Sequence, residues 1–144
     1  NGSIYLKPTQ FVLGIGCRRG TAFENIDSAI RQSLLKLQID ISDIDMIASI
    51  DVKKDEPGIK EFCDRNRIEF VTYTADELMA VQGEFSASQF VREHVGVDNV
   101  CERAAVLACS RECNEAGELI YKKHKYDSVT VAAARLYKNS RDGD

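Results

Sequence analysis

Between Gly14 and Thr21 the chain reads Gly-Ile-Gly-Cys-Arg-Arg-Gly-Thr. Glycines let a backbone turn tightly and approach a ligand. Before a helix, unpaired N–H groups and the positive end of the dipole attract an anion. Arg18 and Arg19 add forked donors suited to carboxylate or phosphate. Gly16, Cys17, Arg18, Arg19, Gly20 and Thr21 are therefore the candidates for an anion site. The same string also reads as an ordinary glycine turn bearing two solvated arginines. It is a poor nucleotide signature, because G-x-G-x-x-x-G is one residue longer than the dinucleotide fingerprint and no Gly-Lys-Ser/Thr is present. Cys17, beside two arginines at a helix start, is expected to ionise more easily than an ordinary thiol.

A second group, Asp51-Val52-Lys53-Lys54-Asp55-Glu56, also follows an apolar run. Asp51 stands where a ribose-binding acid would, but the two lysines blur that reading. An acid paired with a lysine has the chemistry to hold or polarise an acyl group; the plainer account is a solvated helix start with Asp55 and Glu56 at its dipole. In the third group, Gln82 to Ser88, Ser86 is most simply a helix cap with Gln89. His94 and His124 sit in no diagnostic motif, so no Ser-His-Asp triad assembles. Cys101, Cys109 and Cys113 are spaced by eight and four, along one helical face, without the C-x-x-C of a zinc site. They read as buried small apolar residues. Neither a metal nor a cofactor is expected.

These groups need elements to hold them. Phe11 to Gly16 is a short apolar run, a buried strand. Thr21 with Glu24 forms a capping box, so a helix is expected from Thr21, burying Ala22, Phe23, Ile26, Ala29, Ile30, Leu34 and Leu37. Met46–Ile50 is a second strand, covered on both faces. A helix follows from Glu56 to Arg65 with Pro57 in its first turn. Ile68–Tyr73 is a third strand, and Thr74 with Glu77 caps a brief helix to Val81. Ser86 to His94, ended by Gly96, and Asn99 to Cys113 are two more helices, the second rich in small residues that allow close packing. Glu118–Lys123 and Ser128–Leu136 form a hairpin around Lys125-Tyr126-Asp127. The expected fold is a three-layer α/β/α sandwich. Its mixed, mostly parallel sheet has about five strands and ends in a C-terminal hairpin. Strand ends in such sheets line the ligand crevice, so the first two groups are expected to share a rim.

The chain's 144 residues suit one domain, expected over 10–137 with loose ends at 1–9 and 138–144. Apolar residues make up 44% and charged residues 29%, a globular composition. The net charge of −4 argues against holding nucleic acid by its phosphates. No apolar stretch approaches a membrane span, and Asn1-Gly2-Ser3 begins no signal peptide. That start reads as a remnant of cloning, so the chain is expected to be a piece of something longer. Five cysteines without a secretion signal read as reduced thiols in a cytoplasmic protein.

Taken in order, several strings resemble the C-terminal domain of the cobalamin-biosynthesis protein CbiG and its free-standing relative CobE. They are Gly14 to Thr21; Ala48-Ser49-Ile50-Asp51-Val52-Lys53-Lys54-Asp55-Glu56-Pro57-Gly58; Glu84-Phe85-Ser86; Val95-Gly96-Val97; Val100 to Ala105; and Lys123 with Thr130-Val131-Ala132. Phe85 and Arg103 depart from the pattern. The resemblance implies a part in corrinoid synthesis: CbiG is a cobalt-precorrin-5A hydrolase that opens a macrocycle lactone and releases acetaldehyde. Its substrate, a flat apolar ring edged with carboxylates, is the partner implied here, along with N-terminal domains of the same protein. By resemblance, Arg18, Arg19 and Thr21 bind carboxylates. Lys53, Glu56, Glu84, Ser86, Glu102 and Lys123 line the same cleft, with Glu84 or Glu102 as base toward a lactone-attacking water. A non-catalytic carrier of corrinoid intermediates is the alternative.

Overall fold

The computed structural model describes residues 7–81, 100–110 and 117–138. Five strands, β1 (Lys7–Cys17), β2 (Met46–Ile50), β3 (Glu69–Tyr73), β4 (Glu118–Tyr126) and β5 (Val129–Lys138), form one sheet in the order β3-β2-β1-β5-β4. The β1–β2 and β2–β3 pairs are parallel, whereas β1–β5 and β5–β4 are antiparallel. The sheet is mixed and mostly parallel in strand direction, as expected: β1, β2, β3 and β4 run one way, and β5, inserted between β1 and β4, runs the other. β1 also starts earlier than expected, at Lys7, because its N-terminal part pairs with the end of β5 (Lys7 opposite Lys138). The hairpin turns on Asp127 and Ser128, with Asp127 in the left-handed region at φ 61°; both strands are longer than the apolar pattern showed.

Four described helices cover the two faces: α1 (Phe23–Leu37), α2 (Pro57–Asn66), α3 (Ala75–Met79) and α4 (Val100–Ser110). Strand residues alternate between faces. Phe11, Leu13 and Ile15 of β1 join Ile26, Ile30 and Leu34 of α1 and Ile59 and Phe62 of α2 in one core. Val12, with Ala48, Ile50 and Tyr73, meets Leu78 of α3 and Ala104, Ala105 and Ala108 of α4 in the other. Three layers result.

On the α4 face the backbones nearly touch. A Cβ on Gly14 would stand 1.8 Å from the Cys101 carbonyl oxygen, and one on Gly117 would stand 2.7 Å from the Cys109 Cβ. The small residues of α4 are what allow this approach. The capping box before α3 forms as expected: Thr74 Oγ1 accepts from the Glu77 amide at 3.1 Å and Glu77 Oε1 from the Thr74 amide at 2.8 Å. The box expected at Thr21 does not form. α1 starts at Phe23, its N-cap Ala22 contributes no side-chain bond, and the Thr21 hydroxyl donates to the Arg18 carbonyl oxygen at 2.6 Å. A local turn has taken the cap. The helix expected from Ser86 to His94, the Asn99 cap and Cys113 lie outside the described residues.

Candidate functional site

β1 and β2 run in parallel, so the segments leaving Cys17 and Ile50 emerge on the same sheet edge, and the helices that follow point their N-termini toward it. The first segment turns at Gly20, φ +77°, a conformation that glycine takes without strain. The second makes a 3₁₀ turn, Asp51–Lys53, and enters α2 through Glu56 and Pro57. Pro57 has no N–H to lose at the first helical position. α4 starts at the same edge on the opposite face, over Gly14.

The two segments are bound to each other. Glu56 is 7% exposed, and its Oε1 accepts the Gly20 amide at 2.6 Å. Although Glu56 is the N-cap of α2, its side chain does not cap that helix. Gly58 makes the contact possible, because a Cβ there would lie 2.5 Å from the Thr21 carbonyl oxygen. The Arg18 amide donates to the Ser128 carbonyl oxygen at 3.3 Å and the Thr21 amide to that of Arg18 at 3.2 Å. Three amides of the loop are thus already engaged. The expectation that they stand open for a ligand is not met: the anion that the turn's backbone holds is the protein's own Glu56.

The positive charge, by contrast, is available. Arg18 and Arg19 are exposed, and among the described residues neither forms an ion pair. Lys53, half-buried, lies close enough to Cys17 to favour its thiolate. Cys17 nevertheless departs from the sequence expectation. Burial pushes its thiol up, Glu56 adds to the rise, and the pull of Lys53 and the Thr21 hydrogen bond do not offset them. The arginine side chains that were expected to acidify it are out in solvent.

On the other side of β1 a second group gathers. Glu102 is fully buried in the first turn of α4, and its Oε2 accepts the Lys123 amide at 2.8 Å. β4 is bulged twice, between Leu119 and Tyr121 and between Tyr121 and His124. Bulges re-aim the groups of an edge strand, and here an edge N–H meets a carboxylate. Thr130, to which the sequence reading gave no role, links the halves. Its hydroxyl donates to the Gly16 carbonyl oxygen at 3.3 Å and also bonds the Cys101 thiol. Its one signal in the sequence was its place in the string Thr130-Val131-Ala132 that carries part of the family resemblance. Arg103 is taken up in structure: its guanidinium donates to the carbonyls of Leu78 and Val81 at 3.1 and 3.0 Å, closing the C-terminal end of α3.

The expected residues thus fall into two groups flanking the end of β1: Cys17, Arg18, Arg19, Gly20, Thr21, Lys53 and Glu56 on one side, Glu102 and Lys123 on the other, with Gly16 between. Glu84 and Ser86 lie outside the described residues. A cavity of about 220 Å³ opens between α1 and the hairpin turn, lined by Asn25, Ser28, Gln32, Tyr126 and Asp127 among others, and it includes none of these residues. No group of three or more metal-ligating side chains occurs among the described residues.

Residues 11–134 match the model of the family described as cobalamin synthesis G C-terminus. The chain belongs to that family. Two relatives of this cobalamin synthesis G domain are a probable cobalt-precorrin-5A hydrolase of Methanocaldococcus jannaschii and a cobalt-precorrin-5A hydrolase of Salmonella typhimurium. The first is 32% identical over 92% of this chain and 42% of its own length; the second is 33% identical over 88% and 34%. The chain thus spans less than half of these hydrolases. Among solved structures, CobE, a protein from the cobalamin biosynthetic pathway, superposes with a TM-score of 0.84 at 26% identity, over 94% of this chain and 96% of its own. Among the described residues no helix is long and apolar enough to cross a membrane.

Proposed function

We propose that this domain forms part of the surface on which a cobalt-precorrin-5A hydrolase binds its carboxylate-rich corrinoid substrate. The observation that carries the reading is the exposed pair Arg18 and Arg19, unpaired among the described residues, beside Lys53 at the end of β1, on a chain whose net charge is −4. Guanidinium forks suit peripheral acetate and propionate groups, and a charged hydrogen bond of this kind contributes about 1.5–3 kcal/mol. The amides of Arg18, Gly20 and Thr21 have no part in it, since they donate to Ser128, Glu56 and Arg18. Lys123 adds charge across β1. In this reading Glu84 is the base toward the water that opens the lactone. Glu102, fully buried and holding the Lys123 amide, supports that strand rather than meeting water.

The N-terminal domains of the same protein complete the site. The share of the hydrolases that this chain spans supports that division of labour. A second reading, a free-standing carrier of corrinoid intermediates, is favoured by the superposition on nearly the whole of CobE. Acetaldehyde release from cobalt-precorrin-5A separates them. The hydrolase reading expects release by a full-length protein bearing this domain, with KM raised when Arg18 and Arg19 become alanine. Tight corrinoid binding with no release in either context would replace it with the carrier.

A further inference from the structure

Resting on the anion-site reading above, we propose that Glu56 is a positioning residue: its carboxylate fixes the turn that presents Arg18 and Arg19, and does not touch the ligand itself. The family resemblance placed Glu56 among the residues lining the cleft. The geometry points elsewhere. The side chain is 7% exposed, and its bond to the Gly20 amide, 2.6 Å, runs into the protein. An N-cap acid ordinarily turns back on its own helix, yet this one crosses to a loop 36 residues earlier in the chain.

The surroundings make the crossing specific. Gly58 leaves room for the Thr21 carbonyl, so the first turn of α2 packs directly on the arginine loop. The loop's other anchors, Ser128 on the Arg18 amide and the Thr21 hydroxyl on the Arg18 carbonyl, hold the near side of the turn. Only Glu56 holds Gly20 among the described residues. A turn with φ +77° at its glycine has many alternatives open to it once that bond is lost. Two flexible arginines on a loose turn pay a larger ordering cost on binding than two on a fixed one.

A positioning acid and a ligand-contacting acid respond differently to glutamine, whose carbonyl oxygen still accepts an N–H but carries no charge. Uroporphyrin, an octacarboxylate macrocycle, serves as the fluorescent probe, and exchange of the Gly20 amide with deuterium reports the clamp without any ligand. Glu56→Ala is expected to weaken uroporphyrin binding roughly 3- to 10-fold, the worth of one ordering hydrogen bond, and to speed Gly20 exchange. Glu56→Gln is expected to preserve slow exchange and to bind the polyanion as tightly as wild type or more tightly, since a like charge has gone. Equal loss of affinity in both variants, or undiminished affinity in Glu56→Ala, would overturn the proposal. If wild type fails to bind uroporphyrin, the anion-site reading falls. Gly20 exchange then still decides the clamp, and fast exchange in wild type, or slow exchange in Glu56→Ala, overturns it.

Discussion

The two faces of the sheet are built by opposite means. Under α1 and α2, large side chains fill the space between layers: Phe11, Leu13, Ile15, Ile26, Ile30 and Phe62. Under α4, space has been removed instead: Gly14, Ala48, Ala104, Ala105, Ala108 and Ala134 let helix and strand backbones meet. A face of large side chains adjusts to the loss of a methyl group by small shifts; a face of touching backbones has nothing that can yield. Each face nonetheless ends at the same edge in the same device. A buried acid at the start of a helix, Glu56 on one side and Glu102 on the other, holds a backbone amide of a neighbouring segment. The two groups of candidate residues are set by these acids.

The sharpest way to break the comparison is one methyl group on each face. Gly14→Ala drives a Cβ into the Cys101 carbonyl, so its cost should exceed the roughly 1–3 kcal/mol usual for overpacking. Ile26→Val, the removal of one methyl from the α1 face, should cost only about 0.5–1.5 kcal/mol. Urea unfolding midpoints measure both. Similar losses would show the faces to be equally tolerant.

Alkaline pH tests both faces together. Burial pushes the thiols of Cys63, in α2, and Cys101, in the first turn of α4, from 9.0 up to about 12. The folded state holds these protons where the unfolded chain releases them. The stability they contribute is therefore complete below pH 9 and is lost as pH rises from 9 toward 12. Unfolding midpoints should fall across that window, and Cys63→Ala or Cys101→Ala should flatten the slope, whatever it does to the level. A smaller effect belongs to Cys17, whose thiol is also raised by burial. Iodoacetamide should label it more slowly than a free thiol at pH 8, and Lys53→Ala should slow it further because Lys53 favours the thiolate.

Much of this was legible in the residues. Period-three and period-four apolar spacing located α1, the glycine-ended run located the end of β1, and Thr74 with Glu77 gave an observed cap. Small residues in α4 announced close packing. What failed did so where local rules meet tertiary ones. Thr21 has the residue type and partner of a cap, but a hydroxyl makes whichever bond is nearest, and here the Arg18 carbonyl is nearer. Cys17 was judged by its chain neighbours, although burial governs its thiol. Glu56 and Glu102 were assigned to the cleft by the family resemblance, and chain order does not show which amides await an acid at that edge. The bulges that aim the Lys123 amide at Glu102 leave no mark in an alternating pattern.

The central claim is that two exposed guanidiniums at the end of β1 receive a carboxylate-rich macrocycle. It is tested most directly by titrating uroporphyrin against wild type and the Arg18→Ala/Arg19→Ala double variant. The account predicts a loss of about 1.5–3 kcal/mol for each charged hydrogen bond removed, with the fold intact because neither side chain is buried. Unchanged affinity in the double variant would contradict it.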